Sequence, residues 1–282
     1  MGEIKKIVAN AAVNAELENK KLSNETIKMI EECLKTENGS MLFHLYLRTR
    51  NYSCVENDVV SNAKDSKYCY DNGVLVNKFG IKSLELLHIV ESDSVAYYQS
   101  QVVSGNTDYR FSFDIDSYLD LHKKLFYGVY SFAGEIRDEF IYKSCSPYMN
   151  RKTPFCLPQC IKINLSYILN EMKGKIATIN NRTDLVKYLA YYYGELNMVH
   201  PFREGNGRTL RTYFLLLVNE LNKYFSSINF EIDYSLWSEE DKENLIKCTI
   251  INSINGDTVG IENCFDKVLV CREKKVRTRG KN

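Results

Sequence analysis

Apolar residues recur at helical spacing along most of the chain, and this pattern predicts a mostly α-helical protein. Near the start it predicts a helix over residues 4–19 and a second helix that begins at a Ser23 cap and ends at Asn38-Gly39. From residue 83 onward, seven further helices are predicted over residues 84–104, 115–126, 157–172, 185–199, 208–221, 239–251 and 261–270.

Two stretches depart from helical spacing. Residues 136–155 contain the β-rich run "FIY", turn residues at Ser146-Pro147 and Pro154 at the end, which predicts a hairpin or extended flap. Residues 51–72 are rich in Asn, Asp, Ser and Tyr without periodicity, which indicates a linker. The expected architecture is a mostly α helical bundle with a β-hairpin flap and an N-terminal helical appendage over residues 1–48.

The segment "HPFREGNGRTLR", residues 200–211, concentrates polar chemistry between two apolar helices. Thr183 is expected to cap the helix before it, and Pro201 disfavours helical geometry at His200, so this helix should end there. Gly205 and Gly207 permit backbone conformations that other residues avoid. His200 is therefore expected at the end of a rigid helix, opening onto a glycine-rich loop that feeds the next helix.

A glycine-rich loop that enters a helix offers unpaired N–H groups and the positive end of the helix dipole. Arg208 and Arg211 lie on the same face of that helix, so the loop and both cations describe a cradle for a polyphosphate. Glu204 is a hard oxygen ligand suited to Mg²⁺. His200 accepts a proton near neutral pH, and Phe202 is expected to turn inward as the anchor of the loop.

Each part of this segment also has an ordinary structural interpretation. A histidine at a helix end often serves as a cap, and Gly-Asn-Gly is usually a turn. Arg208 and Glu204 would as a surface ion pair contribute about 0–1 kcal/mol. The functional interpretation is favoured because all of the parts fall within twelve residues, in an order that works chemically.

Composition narrows the class of protein. The 282 residues are 44% apolar with a net charge of +1, so no global field favours nucleic acid, and the basic residues after 273 are expected to form a solvated tail. Nine cysteines, of which only Cys156 and Cys160 are close together without a histidine nearby, indicate idle thiols in a reducing cytoplasm. No apolar run is long enough to span a membrane. We expect a cytoplasmic protein without membrane or nucleic-acid partners.

The segment "HPFREGNGRTLR" resembles the Fic-domain signature H-x-F-x-[D/E]-G-N-G-R-x-x-R at all eight of its fixed positions. "NGVLVNKFGI", "LHKKLFYGVYSFAGEIR" and "TPFCLPQCI", residues 72–81, 121–137 and 153–161, are similar to segments that flank the family's first core helix and its flap. The resemblance implies a Fic domain within residues 49–282, with a core of about 65–270 and its flap at 136–155.

This resemblance implies transfer of AMP from ATP to a hydroxyl side chain of a target protein. It implies His200 as the general base, Glu204 as the Mg²⁺ ligand and a nucleotide site formed by Phe202, Gly205, Asn206, Gly207, Arg208 and Arg211, with Arg211 on the γ-phosphate. The flap would clamp a target Tyr, Thr or Ser by strand-like pairing. Self-modification and association of the chain with itself are further partners that the resemblance allows.

The N-terminal segment resembles the small antitoxin partners of Fic toxins, whose inhibitory motif is [S/T]-x-x-x-E-[G/N]. Glu18 and Asn19 match this motif, whereas Asn14 stands at its first position. The resemblance implies that Glu18 pairs with Arg211 and blocks the γ-phosphate. A second match, at Thr258 and Glu262, reads more simply as an Asp-Thr cap beginning a helix, so Glu18 is the favoured inhibitor.

Other activities stay open at this point. The acid Glu204 and the run G-N-G-R, where the Doc kinase branch has A-N-K-R, favour adenylyl over phosphoryl transfer. The alternatives within the family are use of another nucleotide, phosphoryl transfer and removal of AMP from a target. The non-enzymatic alternative is a catalytically silent nucleotide-binding module that has a regulatory role.

Overall fold

We analysed a computed structural model that describes residues 2–49, 66–144, 152–225 and 228–273. The predicted linker at 51–72, the turn at Ser146-Pro147 and the basic C-terminal tail lie partly or wholly outside these ranges. The described residues form ten α-helices, which confirms the mostly α prediction: α1 Glu3–Glu16, α2 Asn24–Cys33, α3 Gly39–Thr49, α4 Leu84–Val103, α5 Ile115–Phe126, α6 Pro158–Lys175, α7 Arg182–Val199, α8 Asn206–Leu221, α9 Glu239–Asn255 and α10 Val259–Val268.

Two short antiparallel sheets of two strands each complete the fold. Strands β1 (Tyr142–Ser144) and β2 (Lys152–Pro154) pair with Lys143 opposite Thr153, which confirms the predicted hairpin in its described part. Strands β3 (Ile228–Ile232) and β4 (Leu269–Glu273) were not predicted, because β4 continues an apolar helix without a break. A strand whose partner lies some forty residues away in sequence cannot be distinguished from a helix by local periodicity.

Side chains at the first turns fix where several helices begin. Ser23, Ser83 and Asp114 each accept a hydrogen bond from the backbone N–H three residues later, as the cap predicted at Ser23 requires. The cap of α7 is Asn181 rather than Thr183, because the Asn181 side chain accepts from the Asp184 N–H.

The predicted end of the second helix at Asn38-Gly39 is wrong. Helix α2 ends at Cys33, and Gly39 begins α3, a helix that the periodicity analysis missed. A Cβ at Gly39 would collide with the Cys33 carbonyl oxygen, so glycine is needed here for the tight turn between two helices.

The central element of the main core is α8, which packs against α5, α7, α4 and α1 and against β3. Its side chains are buried nearly all round, including the fully buried Phe214, Leu217 and Val218. Helix α7 packs against α8 and is joined to it by residues 200–205. The candidate loop is therefore held at the junction of two buried helices, where packing leaves its backbone little freedom.

The first three helices form a smaller apolar cluster against α4. Its members include Val8, Ile30 and the fully buried Phe43, whose ring stacks on Tyr97 of α4 with 4.0 Å between ring centroids. Helix α1 also contacts α8, so the N-terminal appendage touches the helix that follows the candidate loop. None of the helices in the described ranges combines the length and the apolarity needed to cross a membrane.

We expect Phe43→Ala to destabilise the protein by about 3–5 kcal/mol, the usual cost of truncating a buried phenylalanine. Thermal unfolding monitored by circular dichroism measures the change. Met41→Ala on the same helix is the control, since Met41 is 67% exposed and its truncation should alter the free energy of unfolding by less than about 0.5 kcal/mol. Equal melting temperatures for both variants would contradict packing of α3 on α4 through Phe43.

Candidate active site

A cavity of about 330 Å³ lies where the N-terminal segment, the flap, α7, α8 and α9 meet. Seven of the ten predicted site residues line it, namely Glu18, His200, Glu204, Gly205, Asn206, Gly207 and Arg211. Its remaining wall consists of Leu17, Tyr142, Phe155, Tyr193, Asn197, Arg203, Leu245, Ile246 and Thr249. Tertiary packing thus brings the loop and the N-terminal acid to one space.

His200 ends α7 in the left-handed region, with φ of 46°, which confirms the predicted end of the helix. Its imidazole stacks on the ring of Phe155, with 3.7 Å between centroids, and its Nδ1 lies 3.0 Å from the Asn197 carbonyl oxygen. Because a carbonyl oxygen only accepts, Nδ1 carries the proton in this contact. The neutral ring then has Nε2 as its proton-accepting nitrogen.

Arg137 holds the backbone of His200, and nothing in the sequence singled it out. Its buried guanidinium donates to the carbonyl oxygens of His200 at 2.8 Å, Glu139 at 2.6 Å and Cys156 at 2.6 Å. Its N–H donates to the Pro201 carbonyl at 2.9 Å. One side chain therefore ties both ends of the flap to the residue at the start of the loop.

Phe202 anchors the loop, as predicted, but it does not line the cavity, so its assignment to the nucleotide site stays a prediction. The ring is fully buried and stacks on His122 with 3.7 Å between centroids. Asn206 closes the loop from the other side, because its side-chain amide exchanges hydrogen bonds of 2.8 and 2.7 Å with the backbone N–H and carbonyl of Phe202.

His122, on α5, supports the same loop from beneath. Burial lowers the pKa of His122 to about 3, so the ring is neutral at physiological pH. Its Nδ1 accepts from the Gly134 N–H at 2.8 Å, so Nε2 carries the proton and donates to the Glu204 carbonyl at 3.0 Å. The neutral His122 ring thus links α5 to the loop through Nε2 and to the Gly134 backbone through Nδ1.

The two glycines of the loop are required for different reasons. Gly205 adopts a φ of 81°, and a Cβ there would also collide with the Phe126 ring. Gly207 has ordinary helical geometry, but a Cβ there would collide with Oε1 of Glu18. The second contact shows how closely the Glu18 carboxylate approaches the first turn of α8.

Arg208 belongs to the predicted phosphate cradle, but its guanidinium does not line the cavity. The side chain is 1% exposed and forms ion pairs with Glu91 of α4 and with Oε1 of Glu204, the latter at 2.9 Å. It also lies over the Phe126 ring, 4.8 Å from the centroid. The buried Glu91 carboxylate and the partly exposed Glu204 carboxylate hold this cation in place, so it is neither a surface ion pair nor a lining residue.

Arg211 does line the cavity, and the N-terminal segment occupies its guanidinium. Nη2 lies 2.5 Å from Oε1 of Glu18, and Nε donates to Oδ1 of Asn14 at 2.5 Å. The Asn14 Nδ2 donates in turn to Gln99 Oε1 at 2.6 Å and to the Arg208 carbonyl at 3.1 Å. An amide at position 14 therefore uses an acceptor and a donor at once, which a hydroxyl with one proton does less completely.

Glu18 lies in the turn after α1 and not in the helix predicted over residues 4–19. Helix α1 ends at Glu16, and Asn19 adopts a left-handed φ of 57°, a common way of terminating a helix. Burial raises the pKa of the Glu18 carboxyl, but the Arg211 and Arg208 guanidiniums outweigh this and lower the pKa overall. The carboxylate is therefore ionised at neutral pH and paired with Arg211.

Glu204 offers one oxygen to a cation. Its Oε1 accepts from the Gly205 N–H at 2.9 Å and from Arg208, whereas Oε2 accepts no hydrogen bond from the residues that the structure describes. The described ranges contain no cluster of three or more His, Cys, Asp or Glu that would enclose a metal. A single free carboxylate oxygen fits Mg²⁺, which is usually held by one or two carboxylates together with substrate phosphates.

The second match to the inhibitory pattern is a local feature of α10. Glu262 accepts a hydrogen bond from the Thr258 hydroxyl at 2.8 Å, and Asp257 accepts from the Val259 N–H at 2.9 Å. Neither acid lines the cavity. This arrangement agrees with the interpretation of this stretch as the beginning of a helix.

The comparisons with known proteins agree with the signature in the sequence. Residues 112–218 match the family described as the Fic/DOC family. The chain is 33% identical over 181 residues to "Protein adenylyltransferase VbhT" of Bartonella schoenbuchensis, covering 64% of this chain and 34% of that protein. It is 26% identical over 216 residues to a "Protein adenylyltransferase" of Bartonella henselae, covering 71% and 37% respectively. The chain thus spans about a third of the length of these relatives.

Solved structures share the fold. The BepC protein of Bartonella tribocorum, solved with bound AMPPNP, superposes with a TM-score of 0.61 at 20% identity and covers 74% of this chain and 97% of its own. A Fic family protein from Desulfovibrio desulfuricans gives a TM-score of 0.56 at 12% identity and covers 93% of this chain and 62% of its own. The longer superposition extends the likeness in fold to most of the chain.

We expect Gly205→Ala to destabilise the protein by at least about 1–2 kcal/mol, since a left-handed backbone penalises any Cβ and the Phe126 ring blocks it as well. Chemical denaturation gives the free energy of unfolding. The control is Gly174→Ala in α6, where a Cβ meets no atom within 4 Å and should stabilise the helix by about 0.4–1 kcal/mol. The same sign of change in both variants would contradict the strain assigned to Gly205.

Proposed function

The chain contains a Fic domain, and from this premise we propose that it transfers AMP from ATP to a hydroxyl side chain of a target protein. The observation that carries the proposal is the cavity that unites His200, the amides entering α8, Arg211 and the free oxygen of Glu204. The two Bartonella relatives named protein adenylyltransferase support the same class of reaction.

His200 is the proposed general base. Its Nδ1 contacts the Asn197 carbonyl, and Nε2 is the nitrogen that we propose takes the proton of a target hydroxyl. The hydroxyl oxygen then bonds to the α-phosphorus of ATP, and the bond from that phosphorus to the bridging α–β oxygen breaks. Pyrophosphate leaves with the bonding electrons, and the target keeps AMP as a phosphodiester.

The loop and α8 are proposed to bind the phosphates. Backbone N–H groups at Gly205, Asn206 and Gly207 lie at the positive end of α8, which favours anions. Arg211 binds the γ-phosphate, and Arg208 contributes from behind the loop by fixing Glu204. Mg²⁺ held by Glu204 would neutralise phosphate charge, so catalysis here consists of positioning and charge compensation.

The target chain is proposed to dock on the flap. Strand β1 pairs with β2 alone among the described residues, so its outer edge offers backbone hydrogen bonds to an extended segment. Tyr142 of this strand is 55% exposed and lines the cavity, which places the flap edge beside His200. A Tyr, Thr or Ser on the docked segment would then face Nε2.

Residues 1–48 are proposed to be an inhibitory region carried on the same chain as the Fic domain. Glu18 pairs with Arg211 and approaches the first turn of α8 closely enough to exclude a Cβ at Gly207. The γ-phosphate requires both places, so ATP and the Glu18 carboxylate compete for them. We infer that the structure represents the inhibited state.

A second candidate function is a regulatory module that binds nucleotide without turnover. It is favoured by the same Glu18–Arg211 contact, if that contact never opens. Incubating the protein and Mg²⁺ with ATP labelled on the α-phosphate, in parallel with ATP labelled on the γ-phosphate, separates the candidates. Label on protein from the α-position alone supports AMP transfer, and label from the γ-position alone supports phosphoryl transfer. Binding without either label supports the silent module.

We expect His200→Ala to reduce AMP transfer by about 10²–10⁴-fold, the usual contribution of a general base. Nucleotide binding measured by calorimetry should stay within about twofold of the wild type, because the amides and Arg211 are unaltered. His44→Ala is the control, since His44 is exposed on α3, away from the cavity. More than a tenth of the wild-type rate in His200→Ala would exclude this residue as the base.

We expect Glu18→Gly to raise AMP transfer, including onto the enzyme itself, because Arg211 becomes available to the γ-phosphate. Loss of the ion pair should lower the melting temperature by roughly 2–4 °C, the shift that about 1 kcal/mol produces in a domain of similar size. ATP should restore part of this loss, since it binds the folded state. Glu262→Gly should leave transfer unchanged, and the opposite pattern would make Glu262 the inhibitory acid.

The stabilising effect of Glu18 should also depend on pH. The folded pKa of this carboxyl lies below its ordinary value of 4.5, so its contribution is complete well above pH 4.5 and is lost as the pH falls through the lowered pKa. The difference in melting temperature between the wild type and Glu18→Gly should therefore shrink in acid. A difference that grows as the pH falls would contradict the ion pair.

A further inference from the structure

Lys20 brings a second charged group from the N-terminal segment into the site. Its side chain is 6% exposed, and its Nζ lies 2.8 Å from Oε1 of Glu91 and 4.0 Å from Oε1 of Glu204. The antitoxin-like motif that drew attention to this region ends at Asn19, before position 20. A buried lysine must be paired, and here the pairing reaches the acid that we assign to Mg²⁺.

The charges around Lys20 form a closed set. Glu91 and Glu204 supply two negative charges, and Arg208 and Lys20 supply two positive charges, so the cluster is neutral as it stands. Glu91 also accepts a hydrogen bond from the Tyr130 hydroxyl at 2.6 Å, a neutral partner. Removing Lys20 alone leaves a net charge of −1 at the acid that faces the cavity.

The Lys20 ammonium and the Arg208 guanidinium both approach Oε1 of Glu204, at 4.0 and 2.9 Å. The ammonium therefore already supplies Glu204 with part of the positive charge that a divalent cation would bring.

We propose that Lys20 is a second inhibitory contact of the N-terminal segment, and that it acts against the divalent cation rather than against the nucleotide. The ammonium repels a cation that approaches Oε2 of Glu204 and compensates the charge that would attract it. When the segment moves away, the cluster regains its net negative charge and the cation binds. The inference rests on the proposed role of Glu204 as the Mg²⁺ ligand.

Lys20 and Glu18 are proposed to act on different ligands. Glu18 pairs with Arg211, so its loss should strengthen binding of a nucleotide with a γ-phosphate. Lys20 contacts neither Arg211 nor the loop amides through any described hydrogen bond, so its loss should act on the cation. The same segment would thereby hold back both components of the Mg²⁺–nucleotide complex.

The test measures Mn²⁺, a paramagnetic substitute for Mg²⁺, binding to the whole chain without nucleotide. The signal of free Mn²⁺ in electron paramagnetic resonance gives the dissociation constant. We expect Lys20→Met to lower this constant roughly tenfold, because a unit charge about 4 Å away acts strongly on an ion even near solvent. Lys20→Gln is a second neutral variant, and circular dichroism verifies that each variant is folded.

Four controls isolate the charge at position 20. Lys21→Met alters the net charge of the chain equally, but Lys21 is exposed, so Mn²⁺ affinity should match the wild type. Lys20→Arg keeps the cation and should also match. In the background of Glu204→Gln, Lys20→Met should give no gain, because the acid that it acts on is gone. Glu18→Gly should not tighten Mn²⁺ binding.

Equal Mn²⁺ affinity of the wild type and both neutral variants, or no detectable binding in any of them, overturns the inference. So does a gain in Lys20→Met that persists with Glu204→Gln. The outcome is separable from the proposed activity because binding is read without turnover. Tighter Mn²⁺ binding without any AMP transfer would refute the activity alone, whereas AMP transfer with unchanged Mn²⁺ affinity would refute the role of Lys20 alone.

Discussion

The buried guanidinium of Arg208 is the interaction on which the site depends. It joins Glu91 on α4 to Glu204 on the loop, and its exposed fraction is only 1%. Removing one partner of such a cluster leaves an uncompensated charge in the interior, which typically costs 3–5 kcal/mol, so the cluster locks the loop against the helix core. The Glu91–Arg208–Glu204 cluster fixes the backbone of residues 200–205, and the side chains of that loop that line the cavity are held in place by it.

Besides this ion-pair cluster, three further side chains restrain the loop without reacting in the proposed transfer. His122 braces the Glu204 carbonyl, Asn206 closes the backbone around Phe202, and Arg137 ties His200 to the base of the flap. Each contact restrains backbone and leaves the reactive atom of a side chain available. This is the arrangement that transfer of a phosphorus group requires, since the protein contributes mainly position and charge.

The N-terminal segment packs against the helix core and also occupies groups that line the cavity. Asn14 is fully buried between α4 and α8. Glu18 forms an ion pair with Arg211, and Lys20 forms an ion pair with Glu91. The groups that stabilise the closed state are therefore the groups that a nucleotide and its cation would need. On the proposed function, a nucleotide and its cation would have to displace these contacts, so occupancy of the site would be a competition between the N-terminal segment and these ligands.

Whether a feature could be predicted from the sequence depends on how far apart its interacting residues lie along the chain. Local rules sufficed for nine of the ten helices in the described ranges, for the end of α7 at His200 and for the glycine-rich loop, because periodicity, Pro201 and the glycines act within a few residues. Position 14 and Glu18 were found because a motif spans them. Glu91, Arg137, His122 and Lys20 were missed because their partners lie as many as 184 residues away in sequence. Only the packing of α1, α4, α5 and α8 brings such charges together, and burial then makes their pairing obligatory.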